Sequence, residues 1–264
     1  MPEDEIRAVA DNLLEALRFF GQARADAEIQ DLPGVSLIFC GLNYAAFNAA
    51  LQAAPIDGDS HELSRLIDLS AQKFDARNLR WTYWLCQDYL SAALRKEAGR
   101  VFKRHGLRHL TEAPGMYTDR LAPATRRLPA LDVRPVADTA TRTAFADVMS
   151  TAFEIPRSVS ASVYGSPQAW NGSFQGYVGY ANGRAVTTAA AVITGDVIGL
   201  YSVATLPQHR RLGFAEAIMR EVIDESRRSR QVSRLVLQAT ASGFSLYEAM
   251  GYRSVTNFHV FIAD

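Results

Sequence analysis

Apolar side chains along residues 1–125 alternate between helical spacing and short continuous runs. Helical spacing is typical of amphipathic helices, and short apolar runs are typical of buried strands. The pattern predicts helices at residues 5–20, from 60 onward with Asp59 or Ser60 as the cap, and at 90–105, where Gly106 ends the helix. It predicts strands at 35–40 and 81–86.

Residues 121–129 interrupt this pattern with two prolines, exposed charges and no periodicity, which is typical of a linker. A second series of elements follows. It consists of a strand at 131–136, a helix at 139–153, an irregular segment at 154–172, strands at 176–180, 185–193 and 197–204, a helix at 212–230, a strand at 234–238, a helix at 242–250 and a strand at 254–262. Asn182 and Gly183 predict a tight hairpin between the strands at 176–180 and 185–193. We therefore predict a mixed α/β fold with two domains, residues 1–125 and 126–264.

A short internal repeat supports two related halves. Residues 101–111 align without gaps with residues 246–256, and each segment predicts a helix end, a glycine stop and a strand start. The shared order of elements favours a duplicated fold. The first copy has Phe102 where the second has Tyr247, and it lacks the Arg-Arg-Leu-Gly-Phe-Ala sequence found at 210–215.

Composition narrows the functional classes. Lys and Arg total 28, as do Asp and Glu, so a general attraction to nucleic acid or anionic membranes is not expected. Cys40 and Cys86 each lie in an apolar run, which predicts buried free thiols, and no metal-ligand cluster accompanies them. The sequence shows no signal-peptide core and no membrane-spanning run, so we expect a cytoplasmic protein. We also expect no metal cofactor.

The most informative segment is 201–215, where an apolar strand passes through Pro207 into a helix opened by two arginines and Gly213. A helix N-terminus exposes unpaired N–H groups and carries partial positive charge. Gly213 lets an anion approach the backbone closely. The segment therefore predicts a site for an anionic group, most often a phosphate.

A second motif defines this site further. Residues 235–252 predict a strand, a polar loop and a helix that ends in Leu246-Tyr247-x-x-x-Gly251-Tyr252. With Val203-Ala-Thr205, Pro207 and Arg210-x-x-Gly213-x-Ala215, this order resembles the GCN5-related N-acetyltransferase (GNAT) family over residues 126–264. The resemblance implies a GNAT-like fold with a splayed central sheet, in two tandem copies of which the first is degenerate.

The resemblance also implies acetyl-CoA as co-substrate and direct attack by a small-molecule amine or peptide acceptor. A separate alternative is that the aromatic-rich first half docks a protein substrate or a second copy of the chain, as in a homodimer. Tyr247 would protonate the leaving thiolate, although its alternative role is packing on the preceding helix. Val203 N–H would polarise the thioester carbonyl. The implied cofactor-binding residues are Val203, Ala204, Thr205, Arg210, Arg211, Leu212, Gly213, Phe214, Ala215 and Thr240.

A general base is not evident, because residues 197–202 contain no carboxylate. Asp196, Glu154, the terminal Asp264 and a water chain are the alternatives. His209 is expected to face solvent. Aromatic side chains form either an acceptor wall or core packing, namely Tyr164, Trp170, Phe174 and Tyr201. The absent carboxylate also leaves open a non-catalytic CoA-binding or regulatory protein.

Overall fold

The computed structural model describes residues 2–57, 59–230 and 232–263. Its α-helices are α1 (Pro2–Arg18), α2 (Ser60–Asp75), α3 (Ala92–Arg104), α4 (Thr139–Phe153), α5 (Arg157–Tyr164), α6 (Phe214–Ser229) and α7 (Phe244–Ala249). Its strands are β1 (Glu28–Leu32), β2 (Val35–Phe39), β3 (Ala49–Gln52), β4 (Thr82–Cys86), β5 (Leu107–Thr118), β6 (Asp132–Pro135), β7 (Phe174–Ala181), β8 (Arg184–Thr194), β9 (Val197–Thr205), β10 (Arg234–Gln238) and β11 (Arg253–Ala263). Within these described ranges, none of the helices is long and apolar enough to cross a membrane.

All eleven strands form one mixed sheet in the order β1-β2-β3-β4-β11-β5-β10-β9-β8-β7-β6. The predicted mixed α/β fold is therefore confirmed. The strand order shows an exchange that the sequence did not predict. Strand β5 follows α3 in the chain but pairs with β10, and β11 follows α7 but pairs with β4.

The exchange gives the sheet an approximate two-fold symmetry. Strands β3 and β4 are parallel with α2 between them in the chain, as β9 and β10 are parallel with α6 between them. The antiparallel pair β5–β11 lies at the centre. Gly106 and Gly251 end α3 and α7 with φ of +76° and +95°, so both predicted glycine stops are confirmed.

Helices cover both faces of the sheet. On one face, α2 and α3 contribute a core around Phe74, Trp81 and Phe102, and α6 and α7 contribute a core around Ile218 and Tyr247. On the other face, α1 packs across the central strands, and α4 and α5 pack beside it. Each of these four clusters contains residues from both the first and the second part of the chain.

Local sequence signals were reliable. The side chain of Asp59 caps α2, and α4 covers the predicted residues. Asn182 and Gly183 adopt the positive φ values of a tight hairpin, 50° and 74°. The prediction of an irregular segment at 154–172 was wrong in part, because α5 and a 3-10 helix (Pro167–Asn171) lie there. Strands β1 and β3 were not predicted.

Candidate functional site

The site begins where β9 separates from β10. The two strands pair only through Arg234↔Val197, Leu235↔Ile198 and Val236↔Gly199, although β9 continues to Thr205. Strand β10 meanwhile keeps its antiparallel pairing with β5 as far as Gln238. The carboxyl-terminal part of β9 therefore faces a wedge between diverging strands. This agrees with the splayed sheet predicted from the sequence.

A β-bulge shapes the free end of β9. Thr188 pairs with Ala204 and Ala190 pairs with Tyr201, so Ser202 and Val203 together face one residue of β8. Ser202 has a φ of +48°, and its carbonyl accepts a 2.9 Å hydrogen bond from the Thr188 hydroxyl. Bulges re-aim side chains and are common beside active sites. Here Val203 packs against the core cluster that contains Tyr247.

The segment after β9 forms the predicted turn into a helix N-terminus. A 3-10 helix (Pro207–His209) leads to Arg211 and Gly213, which have φ values of +65° and +93°. The 16-residue helix α6 follows, and its first turn has no side-chain cap. Its leading N–H groups therefore point out of the helix end, as an anion site requires.

Arg210 holds this loop in place. Its Nε donates to Thr205 O at 3.2 Å, and an Nη donates to Ala152 O at 3.0 Å. The guanidinium thus ties the end of β9 to the carboxyl end of α4. The geometry gives this side chain a positioning role in the loop.

The linker supplies a residue that sequence reasoning missed. Arg126 donates to Arg211 O at 3.1 Å, and it is exposed. A Cβ added to Gly213 would lie 3.1 Å from Cδ of Pro129 and 3.4 Å from a guanidinium nitrogen of Arg126. A positive side chain therefore stands beside the N-terminus of α6. The only sequence signal was charge in a proline-rich segment.

The remaining loop residues differ in exposure. Leu212 is 56% exposed, whereas Phe214 is buried and its ring meets that of His209 at 5.7 Å. Ala215 is half-buried in the first turn of α6. His209, which was expected to face solvent, is half-buried against Phe214.

Tyr247 lies in α7 and is 7% exposed. Its ring packs over Gly243, where an added Cβ would lie 3.0 Å from the hydroxyl oxygen. Burial raises the pKa of Tyr247 to about 12, so the phenol stays protonated in the neutral range. Thr240, predicted to bind cofactor, lies in the turn before α7, where its Oγ1 accepts from Gly243 N at 3.3 Å and its carbonyl accepts from Phe244 N at 3.0 Å.

The candidate general bases lie in different parts of the structure. Asp196 lies at the opposite end of β9 and forms a bidentate pair with Arg234, whose hydrogen bonds lower the pKa of the carboxyl. Glu154 is exposed at the carboxyl end of α4 with a φ of +56°. Asp264 lies outside the described residues.

A polar network, unforeseen from the sequence, lies at the point of the wedge. The Tyr201 hydroxyl donates to Asn12 Oδ1 at 2.7 Å, and Asn12 Nδ2 donates to Val192 O at 3.1 Å. Asn12 is fully buried and belongs to α1. Gln238 Nε2 reaches α1 as well, donating to Val9 O at 3.3 Å. The first part of the chain therefore supports the wedge directly.

The aromatic side chains proposed for an acceptor wall form core packing. Tyr164 and Phe174 are buried, and both rings pack on Phe19 at centroid distances of 5.6 and 4.2 Å. Trp170 meets the same ring at 5.2 Å. Tyr201 is held by Asn12 as described. Phe19 comes from the first part of the chain, so this cluster is an interface between the two parts.

Among the residues that the structure describes, the corresponding region of the first part differs from this site. The carboxylate of Asp59 accepts from His61 N at 2.8 Å and so occupies the N-terminus of α2 with negative charge. Ile56 N donates to Tyr89 O at 2.8 Å, which bridges the chain beyond β3 to the residues after β4. Phe102 stacks on Phe261 at 3.8 Å. Negative charge therefore lies at the α2 N-terminus, and Phe102 has no ionisable group at the place where α7 carries Tyr247.

Comparison with known proteins agrees with this geometry. Residues 172–254 match the family model described as "Acetyltransferase (GNAT) domain". No curated protein matches the chain significantly.

Solved structures match over nearly the whole chain. A GCN5-related N-acetyltransferase from Kribbella flavida has a TM-score of 0.71 at 18% identity, covering 97% of this chain and 95% of its own. A GCN5-related N-acetyltransferase from Sphaerobacter thermophilus has a TM-score of 0.62 at 17% identity, covering 99% and 93%. A tandem GNAT protein from the clavulanic acid biosynthesis pathway has a TM-score of 0.56 at 10% identity, covering 96% and 86%. The chain therefore has the fold of tandem GNAT proteins, and its residues 172–254 match the model of the GNAT acetyltransferase domain.

Proposed function

We propose that this protein transfers an acetyl group from acetyl-CoA to an amine. The observation that carries the proposal is the wedge between β9 and β10, which leads directly into the uncapped N-terminus of α6. A wedge with free strand edges suits an extended amide-containing arm, and the helix end suits a pyrophosphate. The two features are contiguous, as they must be to hold one elongated molecule.

Each part of the site would bind one part of acetyl-CoA. The N–H groups of residues 211–215 would hold the pyrophosphate, and Arg126 would add positive charge beside it. The backbone of Val203 and Thr205 would pair with the pantetheine arm. When bound, acetyl-CoA supplies a thioester that a neutral amine can attack without a covalent enzyme intermediate.

Val203 N–H would stabilise negative charge on the thioester oxygen. Tyr247 would interact with the sulfur of the leaving thiolate, and its raised pKa limits its ability to transfer a proton to that sulfur. An ordinary thiol has a pKa near about 8.5, so complete proton transfer from a phenol of pKa about 12 is uphill by about 5 kcal/mol. Tyr247 therefore serves best as a hydrogen-bond donor that stabilises developing charge, while the proton released by the amine balances the one taken up by the thiolate.

We further propose that residues 1–125 and 126–264 are two GNAT-like units, of which only the second is active. The absence of a described helix or strand between Thr118 and Asp132 supports the boundary, and the Asp59 cap supports the inactivity of the first unit. Buried free thiols at Cys40 and Cys86 support a cytoplasmic location. Homodimer formation and the choice of acceptor stay predictions from the sequence.

The test is Tyr247→Phe, assayed for CoA thiol release across an amine panel and for acetyl-CoA binding by calorimetry. We expect kcat to fall roughly 10–150-fold, the value of one hydrogen bond to a charged group, with binding unchanged. Tyr252→Phe is the matched control, because Tyr252 is a buried neighbour whose ring lies 6.2 Å from that of Tyr247. Equal turnover in both variants would refute the role of Tyr247. Tight acetyl-CoA binding by the wild type without turnover of any amine would favour the non-catalytic alternative.

A further inference from the structure

A cluster of metal-ligating side chains lies in the middle of the sheet, away from the acyl-transfer site. His109 and Glu112 come from β5, and His259 comes from β11. One ligand atom from each lies within 4.8 Å of the other two. Imidazole and carboxylate are the ligands that zinc uses in sites with an open position for water.

A β-bulge creates this arrangement. His259 pairs with Glu112 and Phe261 pairs with His109, while Leu110 is the extra residue between them. Without the bulge, side chains three positions apart on a strand would face opposite sides of the sheet. The bulge places His109 and Glu112 on the same face, opposite two residues that share a face on β11.

We propose that His109, Glu112 and His259 bind one Zn²⁺ ion, with water completing the coordination. The Nδ1 of His259 and the Oε1 of Glu112 are 3.5 Å apart. Two ligands of one tetrahedral zinc, at about 2.0–2.2 Å from the metal, are about 3.3–3.5 Å apart, so this edge of the site already fits. His109 and Glu112 are exposed, so their side chains can rotate to close the remaining distance.

A neighbouring amide orients the carboxylate. Asn257 Nδ2 donates to Glu112 Oε2 at 2.8 Å, which leaves Oε1 directed toward His259. Outer hydrogen bonds of this kind fix ligand geometry in metal sites. The positive charge of Arg95 disfavours a cation near His259, but Arg95 forms an ion pair with Asp88 at 3.0 Å. The surroundings therefore permit a divalent cation.

The position of the site assigns it a structural role. Strands β5 and β11 are the exchanged strands, one from each part of the chain, and a metal ion would tie them together. Because only the folded chain brings the three ligands together, binding stabilises that state by mass action. The wedge and the α6 N-terminus contribute no ligand, so this proposal is independent of acyl transfer.

Zinc titration of EDTA-treated, dialysed full-length protein tests the proposal. We expect one Zn²⁺ per chain by calorimetry, no binding of Mg²⁺, and a Tm increase of roughly 5–10 °C when zinc is about 100-fold above its Kd. His259→Ala and Glu112→Gln should each weaken zinc binding at least about tenfold, and Asn257→Ala about 10–100-fold.

His105→Ala is the control, because His105 also contacts a carboxylate, Asp68, at 2.6 Å, but lies outside the cluster. It should bind zinc like the wild type. The proposal is overturned if the wild type does not bind zinc, if binding leaves Tm unchanged, or if His105→Ala weakens binding as much as His259→Ala. Because Glu112→Gln keeps the size of an exposed side chain, it reports on the metal even if His259→Ala disturbs the sheet.

Discussion

Replacing Gly213 with alanine tests the anion site most directly. Gly213 has a φ of +93°, a region that costs an alanine roughly 1–2 kcal/mol. The new Cβ would also lie 3.1 Å from Pro129 Cδ, so the linker must move by a few tenths of an ångström. We expect the loop to relax away from this geometry, which turns the leading N–H groups of α6 away from a bound pyrophosphate.

The size of the effect follows from those contacts. Two or three hydrogen bonds to a charged phosphate, at about 1.5–3 kcal/mol each, hold the pyrophosphate. Losing one of them weakens acetyl-CoA binding roughly 10–150-fold. The free energy of unfolding should fall by roughly 1–2 kcal/mol, which lowers Tm by roughly 2–8 °C in a chain of this size.

Gly183→Ala separates the two effects. Gly183 has a φ of +74°, and an added Cβ there meets nothing within 4 Å. This variant should lose similar stability but keep its affinity for acetyl-CoA. Calorimetric titration of both variants, with thermal unfolding as the stability measure, makes the comparison. If Gly213→Ala binds acetyl-CoA as tightly as Gly183→Ala does, the loop is not the pyrophosphate site.

Two further predictions concern charged side chains. Arg126→Ala should weaken acetyl-CoA binding about tenfold and make the affinity less dependent on salt. Replacing the neighbouring exposed Arg127 should change the affinity little. Titrations of both variants at two salt concentrations measure these effects. Asp196→Asn should lower the free energy of unfolding at pH 7 by about 0.5–1 kcal/mol, since the ion pair with Arg234 is partly exposed. Because Arg234 lowers the pKa of Asp196, this contribution is complete above the unfolded pKa of about 3.9 and is lost as pH falls through the folded pKa. Urea unfolding of variant and wild type should therefore converge as the pH is lowered below about 3.9.

Elements with local signals could be predicted from the sequence. The capped helix α4, the Asn182–Gly183 turn and the glycine stops depend on side chains within a few residues of each other. Strands β1 and β3 could not be predicted in this way. The first is half-exposed at the edge of the sheet with mixed polarity, and the second is a four-residue strand. Neither carries a periodic pattern long enough to identify it.

The candidate site also contains residues that could be predicted from local sequence and residues that could not. Residues 203–215 form a contiguous strand, loop and helix start, so their order alone indicated an anion site. Arg126 and Asn12 reach the site from distant parts of the chain. Hydrophobic spacing reports which face of an element is buried, but not which element covers it. The exchange of β5 and β11 was beyond sequence reasoning for the same reason.

That exchange gives the first part of the chain a structural role at the wedge. Strand β5 pairs with β10 along Leu235–Gln238, and this pairing continues past Val236, the last β10 residue that pairs with β9. Without β5, β10 would be an unpaired edge and the wedge would have a mobile wall. Helix α1 adds Asn12 at the point of the wedge, where a Cβ on Gly199 would collide with its Oδ1. The first part therefore frames the wedge, and the proposed acyl transfer in the second part would depend on both parts.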